Sequence, residues 1–424
     1  MFTPLDRFRL AQLGWDMSGS LLVRPFLLIG ALVVVAEVLP ALESRGAVPL
    51  PAALVEWLAT EPGSAQVVLG TLAGSMMTVV SVVYSLLVLA LTLASIQFST
   101  RILSSFLRHA STQWALGLVA GTFAFCVLVL RSVRVDPPFV PPLSLALAVT
   151  LVLASLGTLV WFVHYIANGI QATHLVDRLA SDTERVIDDA WGAVPAAELP
   201  LPDRVGVPVL APRSGYVQLM DLPALRRLAA AGHTITVNFG VGKFVAEGAV
   251  IAYVDPHSQP IGAVVQRAFD IGPVRTMQDD VEWGFRQIVD IALKAISPAV
   301  NDPSTAVMCI DHLGRLLVRA ARRWPPARVE RHGAGWLVLH PTTAVDLVDL
   351  AIEQLRQYGR TDMAVSLRLL RVVADVGTAT TDSAIRARLA QHLRLLDEPV
   401  SRGFAPEDCE EHGRRVAAAR LATS

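Results

Sequence analysis

Charge is what this sequence has little of: Asp, Glu, Lys and Arg make up 17% of its 424 residues, against 53% hydrophobic ones. The deficit is uneven, because Pro62 to Thr100, Ala110 to Leu130 and Pro137 to Val176 contain no Asp, Glu, Lys or Arg at all. Three such runs exclude a wholly water-soluble fold. Cysteine is also scarce. Cys126, Cys309 and Cys409 stand far apart and offer neither a disulfide framework nor metal-ligand spacing, which leaves them as small apolar filler. A net charge of −1 sets nucleic acid aside as a partner. Missing too are His-Glu-x-x-His, Gly-x-Ser-x-Gly and a phosphate-cradling glycine loop, so the expectation is no enzyme, no cofactor and no metal.

What is there begins with segments long enough to cross a bilayer, which takes about 20 apolar residues. Four qualify, at about 21–39, 66–97, 114–130 and 143–168. Arg24 and Glu37 lie near the ends of the first, where long side chains reach the headgroups. Arg7, Arg9 and Arg24 resemble the front of a signal peptide, but Ala36-Glu37-Val38-Leu39-Pro40 is a poor cleavage site, so a retained helix is expected. Pro137-Pro138 and Pro141-Pro142 mark a turn between the last two spans. Arg7, Arg9, Arg24, Arg101, Arg108 and His109 fall on one side and Glu43, Glu56 and Glu61 against Arg45 on the other, which predicts cytoplasmic N- and C-termini. Arg131 and Arg134 argue the other way. Leu54, Trp57 and Leu58 have the spacing of a short interfacial helix.

The second span is overlong, since about 30 residues at 1.5 Å each make about 45 Å. Its polar residues Ser75, Thr78, Ser81, Ser85, Thr92, Ser95 and Ser99 share one side at 100° per residue, with Val79, Val83, Leu86, Leu87, Ala90 and Leu93 filling the rest. Two readings compete. Hydroxyl and small residues, with Gly70 and Gly74 as a small-xxx-small pair, let helices pack closely. Alternatively, the stripe from several subunits lines a wet path with Gln97 or Arg101 at its mouth.

The remainder reads as a water-soluble α+β region. The domain boundaries expected are 1–172 for the membrane part, 173–204 for a connecting helix and linker, 205–260 for a small β module, 261–400 for a mainly helical domain and 401–424 for a C-terminal helix or tail. Strand-like runs start at Val207, Gly215, Thr234 and Val250, with a brief helix from Leu222 to Ala231 between them. The stretch from Gly240 to Val254 has the look of a barrel-sandwich module, the fold of lipoyl and biotinyl carriers. Lys243 lacks the flanking signature of a carrier lysine, so no prosthetic group is expected. Helices are predicted near 278–296, 303–322, 343–358, 361–376 and 381–396, with one added strand at Trp336.

The densest polar cluster joins Arg275, Asp280, Arg286, Asp290, Asn301 and Asp302. Asp302 before Pro303 predicts a helix start, and Arg286 with Asp290 an ion pair one turn apart. Asp279, Asp280, Asp290, Asp302, Asp311 and His312 would suffice for a metal or an acid–base pair. Caps and ion pairs account for such clusters more often than active sites do, so the cluster is read as structural.

Several motifs carry a resemblance over nearly the whole chain. They are Gly74 with Met77-Thr78-Val79 and Ser85, Ala94-Ser95-Ile96-Gln97-Phe98-Ser99 followed by Arg101, Phe106-Leu107-Arg108, and Gly215-Tyr216-Val217-Gln218. Arg275-Thr276, Asp280, Gly284-Phe285-Arg286-Gln287, Val289-Asp290-Ile291-Ala292 and Ser297-Pro298-Ala299-Val300-Asn301-Asp302-Pro303 complete the set. Together they resemble the uncharacterised bacterial membrane-protein family known as domain of unknown function 2254. Thr100 stands where the family pattern has proline, and Asp279 where it has glutamine. The resemblance implies four N-terminal spans and a cytoplasmic domain, and no established activity.

The expectation is therefore a multi-pass protein of the bacterial inner membrane that forms a homo-oligomer. Its second helices would pack around an axis and pass ions or small solutes, with the soluble part as assembly and gating element. The alternative is a non-conducting scaffold or sensor that recruits a cytoplasmic protein. An enzyme acting at the membrane surface through the acidic cluster is the third reading.

Overall fold

The computed structural model describes residues 23–45, 61–97, 110–169, 172–193, 199–200, 206–256, 258–276, 279–397 and 406–423. The expected interfacial helix at Leu54 to Leu58, together with Ser99, Arg101 and Arg108, lies outside the described residues. The chain divides after Gln171 into two compact units.

The first unit holds four helices long and apolar enough to cross a membrane: α1 (Val23–Ser44), α2 (Pro62–Gln97), α3 (Ala110–Ser132) and α4 (Pro142–Gly169). Helix α3 is central. Over its most apolar stretch 56% of residues are buried, against 17–22% in the other three. Close approach explains this: a Cβ added at Gly117 would fall 2.9 Å from Pro25 Cα, and one at Gly121 would fall 2.6 Å from Leu32 Cδ1. The small-xxx-small pair that seats a neighbouring helix inside this unit is thus Gly117 and Gly121. At Gly70 and Gly74 an added Cβ meets nothing within 4 Å.

The helix ends are tied by charge. Arg131 at the end of α3 makes a two-pronged pair with Glu37 of α1 at 2.7 and 2.9 Å. Glu43, near the end of α1, accepts from the backbone N–H of Leu143 at 2.7 Å and of Ser144 at 3.3 Å, so it caps α4 from another helix. These contacts put the ends of α1 and α3 beside the start of α4. Midway, Thr122 of α3 and Ser155 of α4 share a fully buried hydrogen bond of 3.0 Å.

The second unit is a mixed helical and small-sheet region. It begins with α5 (Ala172–Ala190), which is strongly amphipathic. One sheet has five strands in the order β1 (Val207–Leu210), β5 (Val250–Asp255), β3 (Thr234–Val237), β8 (Gly335–Val338), β7 (Val329–His332). Only the β3–β8 pair is parallel. The other sheet runs β4 (Phe244–Val245), β2 (Gly215–Met220), β6 (Phe269–Gly272). Both sheets share a core with Val217, Ile235, Val237, Ile251, Val254, Ile271 and Leu337. They therefore draw in strands at 269–272 and 329–338, beyond the 205–260 segment marked by the sequence pattern. Two short helices, α6 (Leu222–Ala230) and α7 (Gln259–Arg267), flank them. Helices α8 (Val281–Ala295), α9 (Pro303–Ala320), α10 (Ala344–Tyr358), α11 (Met363–Ala379), α12 (Ser383–Asp397) and α13 (Pro406–Thr423) make up the rest.

Candidate functional site

Helix α2 carries the first candidate face. Leu69, Ala73, Met76, Val83, Leu87 and Ala90 are buried, and they stand on the side opposite the hydroxyls. Ser75, Thr78, Ser81, Ser85 and Thr92 are exposed, together with Gly70, Thr71 and Gly74. The stripe therefore turns away from the other three helices of its own unit. The side chains of Ser95 and Gln97 are outside the described set, although both residues belong to the helix.

Four of these hydroxyls are engaged within the helix. Thr71 donates to Val67 O at 2.8 Å, Ser75 to Thr71 O at 2.8 Å, Ser81 to Met77 O at 3.0 Å and Thr92 to Val88 O at 2.9 Å. Donation to the carbonyl four residues back satisfies the hydrogen, leaving oxygen lone pairs on the outer surface. Such a face costs little against a neighbouring helix, and it presents acceptors to whatever lies beyond it.

The polar residues that are buried in the membrane unit are others. Thr112, Gln113, Thr122, Ser144 and Ser155 are fully enclosed, all on α3 and α4. Thr122 and Ser155 satisfy each other and Ser144 is held by Glu43, whereas the Thr112 hydroxyl and both amide atoms of Gln113 have no hydrogen-bond partner among the described residues. Sequence periodicity missed this set because α3 and α4 carry few polar residues, and no stripe forms.

The second candidate, the polar cluster of the second unit, separates into three local arrangements along and beyond α8. At its start, Asp280 caps the helix by accepting from Trp283 N at 2.9 Å, and Arg275 grips the same carboxylate at 2.8 and 2.9 Å. The Arg275 guanidinium also sits 5.1 Å over the Trp283 ring. Burial pushes the Asp280 carboxyl upward, against the opposing pull of Arg275 and the Trp283 amide. Gly242 is cut to fit, because a Cβ there would fall 2.2 Å from Asp280 Oδ2, and its φ of +83° favours glycine. Its neighbour Lys243 pairs with Glu282 at 2.7 Å. Gln218 completes the join by donating to Val274 O at 2.7 Å. The loop before β4, strand β2 and the first turn of α8 are thus locked together by Gln218, Gly242, Lys243, Arg275, Asp280 and Glu282.

Halfway along α8, Arg286 pairs with Asp290 at 2.7 Å and reaches Gln354 of α10 at 2.7 Å. Beyond its end, about 20 Å from Asp280 by helix rise, Asn301 takes a φ of +50° and donates to Ser297 O at 2.9 Å. Asn tolerates that left-handed conformation better than most residues do. Asp302 then caps α9 by accepting from Thr305 N at 3.1 Å. The run from Ser297 to Pro303 is a helix–helix turn, and its carboxylate is spent on a cap. Asp311 is held by Arg368 at 2.6 Å. Among the described residues no group of three His, Cys, Asp or Glu is placed to hold a metal.

A charged seam joins α5 to α9. Arg315 and Arg319 on α9 and Arg323 just past its end recur every four residues and face Asp177, Glu184 and Asp188 of α5. Arg315 lies 3.3 Å from Asp177 and 3.0 Å from Glu184, and Arg323 lies 2.9 Å from Asp188. The hydrogen bond from Arg319 holds the Asp188 carboxyl below its usual range. The i, i+4, i+8 arginines are visible in the sequence. Their partners, over a hundred residues earlier, are not.

A family model described as a predicted membrane protein (DUF2254) matches residues 18–375, ending within α11. The uncharacterized protein Mb1321c of Mycobacterium bovis and the uncharacterized protein Rv1290c of Mycobacterium tuberculosis are each similar to this chain. Each is 33% identical over 366 residues, which cover 82% of this chain and 70% of the relative. No solved structure matches the chain.

Proposed function

The chain belongs to the DUF2254 family of predicted membrane proteins, and on that premise we propose a homo-oligomer of the bacterial inner membrane whose α2 helices meet around an axis and line a path for small cations. The observation that carries this reading is the outward face of α2. A helix turned toward lipid gains most from large apolar side chains, yet Gly70, Gly74, Ser75, Thr78, Ser81 and Ser85 are interleaved on this face with the exposed Val67, Val82, Val88 and Leu89. Small residues admit a second helix closely. The back-donated hydroxyls of Thr71, Ser75, Ser81 and Thr92 would offer oxygen lone pairs, which suit cations better than anions.

In this reading both termini are cytoplasmic, and the second unit, with its barrel-sandwich-like sheets, serves assembly and gating rather than catalysis. Two observations favour this reading. The Glu37–Arg131 pair balances one of the two arginines that argue against cytoplasmic termini, the other being Arg134. The conspicuous acids Asp280, Asp290, Asp302 and Asp311 each already serve a cap or an arginine.

The test is a planar-bilayer recording of the purified full chain, paired with particle images that locate α2 relative to the symmetry axis. Cation-selective current that changes in Ser81→Ala and Thr78→Val is expected. No current under any voltage or tension, with α2 at the periphery of the particle, would leave the scaffold reading, in which the second unit recruits a cytoplasmic protein.

A further inference from the structure

The seam between α5 and α9 contains an imidazole with one unsatisfied nitrogen. His312 lies on α9, one turn before Arg315, and its Nδ1 is buried with no hydrogen-bond partner among the described residues. The charged groups around it are Asp177 and Glu184 from α5, and Asp311 and Arg315 from its own helix. Arg368 of α11 holds Asp311. Helix α8 meets α5 beside this seam through Gly284, where an added Cβ would fall 2.0 Å from Thr183 Oγ1, so α5 has no slack to shift in that direction.

A neutral imidazole suits this place, because its bare nitrogen costs less than a buried N–H⁺ that finds no acceptor. A protonated ring would put a second positive charge beside Arg315, within the zipper that holds α5. Burial and Arg315 together lower the proton affinity of His312, outweighing Asp177, Asp311 and Glu184.

We propose that His312 is an acid-operated latch: protonation of its ring loosens α5 from α9. Helix α5 is the segment through which the chain leaves α4, with only residues 170 and 171 between them. Acidification would then free the element that joins the apolar helices to the second unit. The inference stands apart from the pore reading, since it is read by helix docking and needs no current.

The measurement is hydrogen exchange of the full chain in detergent at pH 7.5 and 5.5, with labelling times corrected for intrinsic exchange. The α5 amides of the wild type should exchange severalfold faster at the lower pH. In His312→Gln, protection at pH 7.5 should persist and the acid effect should vanish. Asp177→Asn separates the latch from general acid softening, because it weakens the zipper at both pH values and, by removing a carboxylate that favours the charged ring, moves the acid effect to lower pH. An acid effect of wild-type size in His312→Gln overturns the proposal. Should that variant fold poorly, an NMR titration of His312 in the wild type decides instead, and an ordinary or raised proton affinity also overturns it.

Discussion

Replacing Asp280 tests whether the polar cluster is scaffolding or chemistry. Its carboxylate is 2% exposed and faces a guanidinium that is 14% exposed, so removing it leaves Arg275 in the interior facing only the more distant Glu282 at 3.8 Å among the described acids. Breaking a buried pair in this way costs about 3–5 kcal/mol, and losing the helix cap adds about 1 kcal/mol. Asp280→Ala should therefore cost about 4–6 kcal/mol. Asp280→Asn retains a capping side chain and should cost only the pair, about 3–5 kcal/mol. For a domain of this size each kcal/mol moves the midpoint by about 2–4 °C, so Asp280→Ala should melt on the order of 10–20 °C lower. Differential scanning fluorimetry of the detergent-solubilised chain reads this. Removing both charges with Arg275→Met and Asp280→Leu should recover most of the loss, since an apolar pair of similar volume is often neutral or better. An Asp280→Asn protein that melts within about 2 °C of wild type would refute the reasoning, because the pair would then contribute too little to be structural.

Three further outcomes follow from the same geometry. Gly117→Val should destabilise the membrane unit by about 1–3 kcal/mol in a detergent unfolding titration, because its Cβ would strike Pro25 Cα, whereas Gly70→Val should leave the isolated chain unaffected. A double-mutant cycle of Thr122→Val and Ser155→Ala should show coupling of about 0.6 kcal/mol, while Ser81→Ala, which loses only a bond within its own helix, should cost the fold almost nothing. Burial holds His392 below the ordinary imidazole range although Asp349 pulls it up, so the folded value lies beneath the unfolded one. The stability it contributes is complete above about pH 6.5 and is lost as pH falls through the folded value. The melting temperature should drop between pH 7.5 and 5.5, and His392→Gln should flatten that drop.

The four apolar helices were legible because lipid tolerates no stray charge: the runs read as 66–97 and 143–168 became Pro62–Gln97 and Pro142–Gly169. The later helices were legible through caps and periodicity, as at Pro303–Ala320 and Ala344–Tyr358. The composition of α2 gave its stripe, but not which way the stripe turns, since that depends on α3 and α4. Gly117 and Gly121 are silent in sequence, being ordinary glycines in an apolar run until Pro25 and Leu32 are placed against them. Strand β4, with two residues, is too short for an alternation to register, and in β6 Asp270 and Gly272 break the β-branched pattern that marks β1 and β3. Asp280 and Asp302 were singled out together and proved to cap different helices, because proximity in the chain says little across about 20 Å of intervening helix.

The side-by-side pairing of Thr234–Val237 with Gly335–Val338 has a consequence for how the chain must be made. The inner strand waits for a neighbour about a hundred residues downstream, so its edge stays open while everything between is synthesised. Nascent chains halted before Val338 should consequently be prone to sticking. Cutting out 205–255 to probe partner binding would remove three strands of the larger sheet and bare Leu337. Point changes on the surface are the safer instrument for that question.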